Sequence, residues 1–192
     1  MISSIGELDG ALQLVNRAFE ELINEEDLRI KKPPIGAMIE VPAAVYQVDQ
    51  LAKRVDVLSV GTNDLTQYLL AVDRNNPRVA SLYNSFHPSV LSALHIISKQ
   101  ANNARCEVSI CGELAGDPLG AVLLVGLGYR HLSMSESCLS RVKSMLLQVS
   151  VRKARDLADR SIQITHANEV MEFLASELKN PDLTKLYHRS IE

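Results

Sequence analysis

The sequence predicts an α/β fold built of parallel βα units, and three observations carry that reading. Short apolar, β-branched segments, "AMIEV", "VDVLSV", "EVSIC" and "YRHLSMS", recur at intervals of 20–50 residues. Stretches with helical spacing separate them, an alternation that belongs to parallel sheets rather than to hairpins. From residue 137 onward only helical patterns follow, so the sheet ends there. Strands are expected at about 35–41, 55–60, 107–111 and 130–135.

Each element has a local reason. "SSIGELDGALQLVNRAFEELINEEDLRI" opens on a capping box, Ser4 with Glu7. Leu8, Ala11, Leu12, Val15, Ala18, Phe19, Leu22 and Ile23 then fall at helical spacing, which predicts an amphipathic helix over roughly 5–26. "KKPPIG" breaks that pattern, and "AMIEV" is a strand closed by Pro42. "PAAVYQVDQLAKR" has proline at a first helical position and keeps helical periodicity to Arg54. "VDVLSV" is continuous and apolar, as buried parallel strands are. "HPSVLSALHIISKQANNA" and "DPLGAVLLVGLG" read as helices, the second closed by glycines. "ESCLSRVKSMLLQV", "VRKARDLADRSIQI" and "HANEVMEFLASELK" continue as helices, and "NPDLTKLYHRSIE" reads as a loose tail.

Composition excludes several classes of function. The 20 Lys+Arg and 23 Asp+Glu give a net charge of −3 with no long basic run, which argues against nucleic acid as a partner. No apolar stretch reaches the roughly 20 residues of a membrane span, and no signal-peptide layout opens the chain, so a cytoplasmic protein is expected. Cys106, Cys111 and Cys138 match neither a CxxC nor a zinc spacing and read first as small apolar residues.

Three of the four strands finish on reactive groups: Glu40, the pair Asn63 and Asp64, and Cys111. In a parallel sheet such ends converge on one edge, where α/β proteins keep their sites. Two hard carboxylates there suit Mg²⁺ together with a phosphate-bearing substrate. Arg74 is placed to clamp phosphate or carboxylate oxygens. In "CGELAGDPLG" a thiol stands beside glycines that let backbone approach a ligand, and the nearby Glu113 carboxylate favours a protonated donor. The structural alternative is that Asn63 and Asp64 cap the next helix, Glu40 pairs with a helix N-terminus, Cys111 fills space and Arg74 faces solvent.

"IEVPAAV", "DVLSVGTNDLTQYLLAVDRNN", "SICGELAGDP" and "GLGYRHLSMS" resemble the C-terminal phosphoenolpyruvate-binding barrel of Enzyme I, the phosphoenolpyruvate–protein phosphotransferase of the sugar and nitrogen phosphotransferase systems. "LAVDRNNPRVASLYNSFHPSVL" and "GYRHLSM" are closer to the nitrogen-branch form. The resemblance runs collinearly from about residue 1 to 150 and includes every strand end named above. It implies a (βα)8 TIM-type barrel of which residues 1–150 hold about strands 5–8, with 151–192 as a helical extension of the same domain. It implies Glu40 and Asp64 as Mg²⁺ ligands, Asn63 and the amides of its turn on the phosphate, and Arg74 neutralising it. Cys111 would be the acid that protonates C3 of the enolate, and Gly112 would let the loop close over substrate.

The chain also departs from the pattern. "MISS" is similar to the tail of the fourth strand, and none of His87, His95, His131, His166 or His188 lies in a motif like that of the phosphorylated histidine. The expectation is therefore a C-terminal fragment, inactive alone, whose parent binds phosphoenolpyruvate and pyruvate, meets a phosphocarrier protein through a missing N-terminal region, and forms a homodimer. A non-catalytic dimerisation module, using apolar helix faces at 116–128 and 137–149, is the alternative. Aldolase chemistry on a similar barrel would need no cysteine acid.

Overall fold

Among the described residues, four parallel strands, β1 (Gly36–Ile39), β2 (Val57–Gly61), β3 (Glu107–Cys111) and β4 (His131–Ser133), form a single sheet in the order β1-β2-β3-β4. The structure is a computed structural model and describes residues 1–26 and 30–178. The expected tail at 180–192 and His188 lie outside the described residues. Register aligns Ile39 with Val60, Gly61 with Cys111, and Cys111 with Ser133, so the strand ends meet along one edge.

Around the sheet lie α1 (Ile5–Glu26), α2 (Pro42–Val45), α3 (Val48–Leu51), α4 (Thr62–Leu70) and α5 (Pro88–Asn103). They are followed by α6 (Glu113–Gly116), α7 (Pro118–Leu127), α8 (Glu136–Leu146), α9 (Val151–Ser161) and α10 (Ala167–Leu178). The alternation of side chains along the strands sorts the sheet into two unlike faces. Ala37, Ile39, Leu58, Val60, Val108 and Ile110 are buried in one core cluster with Val90, Leu94 and Ile97 of α5 and Val122 and Leu123 of α7. Their alternates, Met38, Ser59, Ser109, Cys111, His131 and Ser133, are only half-buried or exposed. One face is therefore packed, and the other is left open by the described residues.

The capping box forms as the sequence specifies. The Glu7 N–H donates to Ser4 Oγ at 3.3 Å, and the Ser4 N–H donates to Glu7 Oε2 at 3.2 Å. The same carboxylate accepts from the Ser3 N–H and Ser3 Oγ, both at 2.7 Å, and these bonds, the backbone one first, hold the Glu7 carboxyl below its usual range. The stripe behind it is used only in part. Leu8 is buried, whereas Val15 and Leu22 of the stripe are exposed. The first turns of α1 rest on α3, and the Arg54–Asp9 ion pair at 2.9 Å spans the two segments. That pair is about a third to a half exposed, worth under about 1 kcal/mol, whereas burying each core Leu or Ile contributes about 1.5–3 kcal/mol. The core decides the fold.

Two local expectations change. "PAAVYQVDQLAKR" is two short helices, because Gln47 leaves helical backbone at φ −121°, ψ 9°. Its side-chain amide donates instead to the Ala43 carbonyl at 3.0 Å and to the Ser3 carbonyl at 3.1 Å. The break lets Val45, Val48 and Leu51 all reach the core. Helix α7 is buried nearly all round, from Pro118 to Leu124 and again at Leu127, which marks a central helix rather than an interface. A β-carbon on Gly126 would lie 2.1 Å from the Ala154 carbonyl oxygen, so the glycine permits the close packing of α7 on α9. The apolar face at 116–128 is thus spent inside the chain, while Leu139 and Leu147 of the 137–149 segment stay exposed.

Leu157, Val170 and Leu174 of α9 and α10 join the same core cluster as the sheet. Tyr129, fully buried between α7 and β4, donates its hydroxyl to the Leu94 carbonyl at 2.8 Å, and burial pushes its pKa upward. Among the described residues no helix is long and apolar enough to cross a membrane.

Candidate functional site

The turn from β2 into α4 lies at the centre of the edge where the strands end. Gly61 is the N-cap of α4, with no side-chain capping bond, so Thr62, Asn63 and Asp64 are the first helical residues. The expected alternative, Asn63 and Asp64 as caps, is not what forms. Their side chains turn outward from the helix to other elements. Asn63 Oδ1 accepts the N–H of Glu113 at 3.1 Å, and Asp64 Oδ1 lies 3.4 Å from Arg74 Nη2.

Glu40 is the first residue past β1 and is half-buried. Its Cβ and Oε2 lie 3.2 and 3.3 Å from where a side chain on Gly61 would begin, so the carboxylate lies against the end of β2. A glycine at that point keeps the space which Glu40 occupies. Asp64 and Arg74 are 34% and 35% exposed at the side chain, a pairing loose enough to open at little cost. Arg74 Nη1 is buried and has no hydrogen-bond partner among the described residues. An unsatisfied buried donor costs about 1–3 kcal/mol, which a ligand oxygen would recover. Among the described residues no three of His, Cys, Asp and Glu group as a metal site, so Glu40 and Asp64 stand as a pair of carboxylates only.

Cys111 ends β3, half-buried, and its thiol donates to the Val60 carbonyl at 3.4 Å, a bond made by the protonated form. Ser59 Oγ lies 3.9 Å from the sulfur. Gly112 follows at φ +116°, and a β-carbon on it would lie 2.2 Å from Thr62 Oγ1 and 2.8 Å from Asn63 Oδ1. The glycine is required by that close approach and by its backbone conformation. Thr62, fully buried, donates its hydroxyl to the Cys111 carbonyl at 2.8 Å. Sequence reasoning missed Thr62, because a threonine at a helix start reads as a local cap.

A cleft of about 510 Å³ opens between the ends of β3 and β4, lined among others by Cys111, Gly112, Glu113, Ser135, Cys138 and Arg141. It brings in two of the expected site residues; Glu40, Asn63, Asp64 and Arg74 lie outside its lining. Cys138 departs from its reading as a small apolar residue. It stands in the first turn of α8, half-buried, with Ser135 Oγ donating to its sulfur at 3.3 Å and Arg141 Nη2 at 3.8 Å. These bonds, Ser135 first, lower the Cys138 pKa, whereas burial raises that of Cys106, helped by the Asp56 and Glu107 charges. Near neutral pH iodoacetamide is expected to alkylate Cys138 well before Cys106, since the thiolate is the nucleophile. Peptide mass spectrometry of a time course reads this directly, and prior labelling of Cys106 would contradict the geometry.

The edge thus joins carboxylates, an arginine with an unused donor, and a thiol, on a parallel sheet. The family described as "PEP-utilising enzyme, PEP-binding domain" matches residues 1–151. The chain belongs to that family. Within it, the chain is similar to the "Phosphoenolpyruvate-dependent phosphotransferase system" protein of Salmonella typhimurium, 48% identical over 176 residues, covering 92% of this chain and 24% of the relative. The protein of the same name from Escherichia coli is 47% identical over the same shares. A "Phosphoenolpyruvate-protein phosphotransferase" of Haloferax volcanii is 39% identical over 174 residues, 91% of this chain and 31% of the relative. The chain therefore spans about a quarter to a third of the length of these relatives. All of the strand-end residues described above lie within the matched 1–151.

Proposed function

We propose that this chain supplies the metal-holding, phosphate-holding and proton-donating part of a phosphoenolpyruvate–protein phosphotransferase. Such an enzyme moves the phosphoryl group of phosphoenolpyruvate to one of its own histidines and on to a carrier protein, releasing pyruvate. The observation that carries this reading is the β2–α4 turn, which touches every other candidate: Gly61 lies under Glu40, Asp64 pairs with Arg74, and Thr62 and Asn63 hold the loop of Cys111.

Glu40 and Asp64 fit Mg²⁺ by donor chemistry, because that ion takes one or two protein carboxylates and leaves its other positions to water and phosphate oxygens. When bound, the ion neutralises charge on the phosphate and polarises its oxygens. Arg74 offers its unpaired Nη1 and, once released from Asp64, a two-pronged donor to phosphate oxygens. Asn63, with Oδ1 engaged by Glu113, has its Nδ2 hydrogens for an acceptor on substrate. As the P–O bond of the enol phosphate breaks, the phosphoryl group passes to the histidine nitrogen and the electron pair stays on the enolate. Cys111 then gives its S–H proton to C3 to form pyruvate, and water reprotonates the thiolate.

The open sheet face supports the architecture implied by the resemblance, in which these are about strands 5–8 of a (βα)8 barrel, residues 1–150 are the barrel portion and 151–192 its helical extension. Parallel sheets are ordinarily covered on both faces, and the small residues Ser59, Ser109 and Ser133 on the open one suit a barrel interior. Three free cysteines support a reducing, cytoplasmic setting. Contact with the carrier protein is assigned to regions of the relatives outside the matched segment.

The test is a chimera in which this chain replaces the matching segment of the Salmonella typhimurium relative. With Mg²⁺ and phosphate-labelled phosphoenolpyruvate, it is expected to label its histidine and then a carrier protein, while this chain alone stays unlabelled. A second reading, a homodimerisation module without catalysis, is favoured by Leu139 on α8, Leu147 at its C-cap and Val151 at the start of α9, which are 53%, 79% and 49% exposed. A folded chimera that dimerises but takes no label would select that reading.

A further inference from the structure

We propose that Thr62 is a positioning residue for Cys111: its buried hydroxyl fixes the peptide that carries the thiol, so that the strand end holding phosphate also aims the proton donor. The role assigned to that aim rests on the reading of Cys111 as an acid given above. The aim itself rests on geometry alone.

A threonine at the start of a helix ordinarily turns its hydroxyl back onto its own first turn. Thr62 does not. It follows the N-cap Gly61, is 0% exposed, and directs Oγ1 across to the Cys111 carbonyl, 49 residues away, at 2.8 Å. Beside that bond, the site of a Gly112 β-carbon lies 2.2 Å from the same oxygen, and Asn63 Oδ1 takes the Glu113 N–H at 3.1 Å. One turn therefore grips three successive residues, at a carbonyl, at an α-carbon and at an amide. The thiol meets the same segment from its other side, donating to the carbonyl of Val60, two residues before Thr62.

Removing the hydroxyl takes a donor from the Cys111 carbonyl and leaves the peptide to turn about Gly112, whose φ of +116° is available to glycine over a wide range. The thiol direction follows, because Cα–Cβ is set by the backbone. Positioning of this kind is felt in the rate of the chemical step more than in binding, since the reacting atoms must meet within a narrow range of distance.

Thr62→Ala and Thr62→Ser differ by the hydroxyl and so isolate it; Thr62→Val, which lacks the hydroxyl but keeps the bulk, serves in place of the alanine variant should that unfold. In this chain, peptide-resolved alkylation by iodoacetamide is expected to show Cys111 reacting about five- to tenfold faster in Thr62→Ala, as one hydrogen bond is lost. Thr62→Ser is expected within about twofold of the parent, and Cys106 and Cys138 are expected to keep their rates in both. An unchanged Cys111 rate, or equal acceleration of all three thiols, overturns the proposal. In the chimera, kcat is expected to fall about tenfold with KM held within about twofold, and serine is expected to restore it. Altered labelling with unaltered kcat supports the positioning and overturns the acid role of Cys111. Unaltered labelling overturns the positioning whatever the kinetics.

Discussion

Asp64→Ala in the chimera is expected to weaken Mg²⁺-dependent binding of phosphoenolpyruvate by about 100-fold or more, because it removes one of only two candidate protein ligands to the ion. Glu40 would be left as a single carboxylate against Gly61, with Arg74 freed from its 3.4 Å contact. The same change is expected to cost the fold under about 1 kcal/mol, since the Asp64–Arg74 pair is a third exposed and loosely held. Calorimetric titration with and without Mg²⁺ separates the two effects. A loss seen equally without the ion would mean that Asp64 serves only to hold Arg74, and unchanged affinity in both titrations would remove Asp64 from the site. Asp64→Asn, which keeps the shape and drops the charge, is expected to behave like the alanine variant.

Cys111→Ala in the chimera is expected to lower turnover by about 10²–10⁴-fold while leaving substrate affinity nearly unchanged, the range typical of a lost general acid. The split follows from when the thiol acts. Carbon needs its proton only as the enolate forms, so the group contributes to the transition state and not to the bound substrate. The cavity left is small, and because the side chain lies on the half-open face of the sheet, water fills it without much cost to stability. Steady-state kinetics of pyruvate release, beside a binding titration, give both quantities. Turnover within about twofold of the parent would reduce Cys111 to a packing residue, the reading its composition first allows.

The order of elements was legible because it is written in short-range patterns. Ser4 with Glu7, the proline openings of α2, α5 and α7, and the β-branched runs at 57–60 and 107–111 each act on residues within a turn or a strand of themselves. Four strands fell close to where they were expected, at 36–39, 57–61, 107–111 and 131–133. The edge that collects Glu40, Asn63, Asp64 and Cys111 was legible for a related reason. Once the strands are known to be parallel, their ends must share a side.

What periodicity could not reveal was how far each apolar stripe is used. The stripes of α1 and α7 look alike as lists of leucines and valines, yet α1 leaves Val15 and Leu22 in solvent while α7 is enclosed by α8 and α9, with α5, α6 and α10 also packed on it. The difference arises from what packs alongside, which is a property of distant segments. Gln47 is a similar case: its helix-breaking bond to the Ser3 carbonyl joins residues 44 apart, so no local window contains both partners.

By itself, then, the sequence determined the parallel α/β order, the capping of α1, and which reactive residues end which strands, since propensity and capping are decided among neighbours. Only the tertiary structure decided that Gly61 rather than Asn63 or Asp64 caps α4, that Thr62 reaches Cys111, that Asn63 reaches Glu113, and that Cys138 shares a cleft with Cys111. The Thr62 and Asn63 pairings join residues 49 and 50 positions apart. They depend on strand register, and a shift of one residue would turn every such side chain to the opposite face.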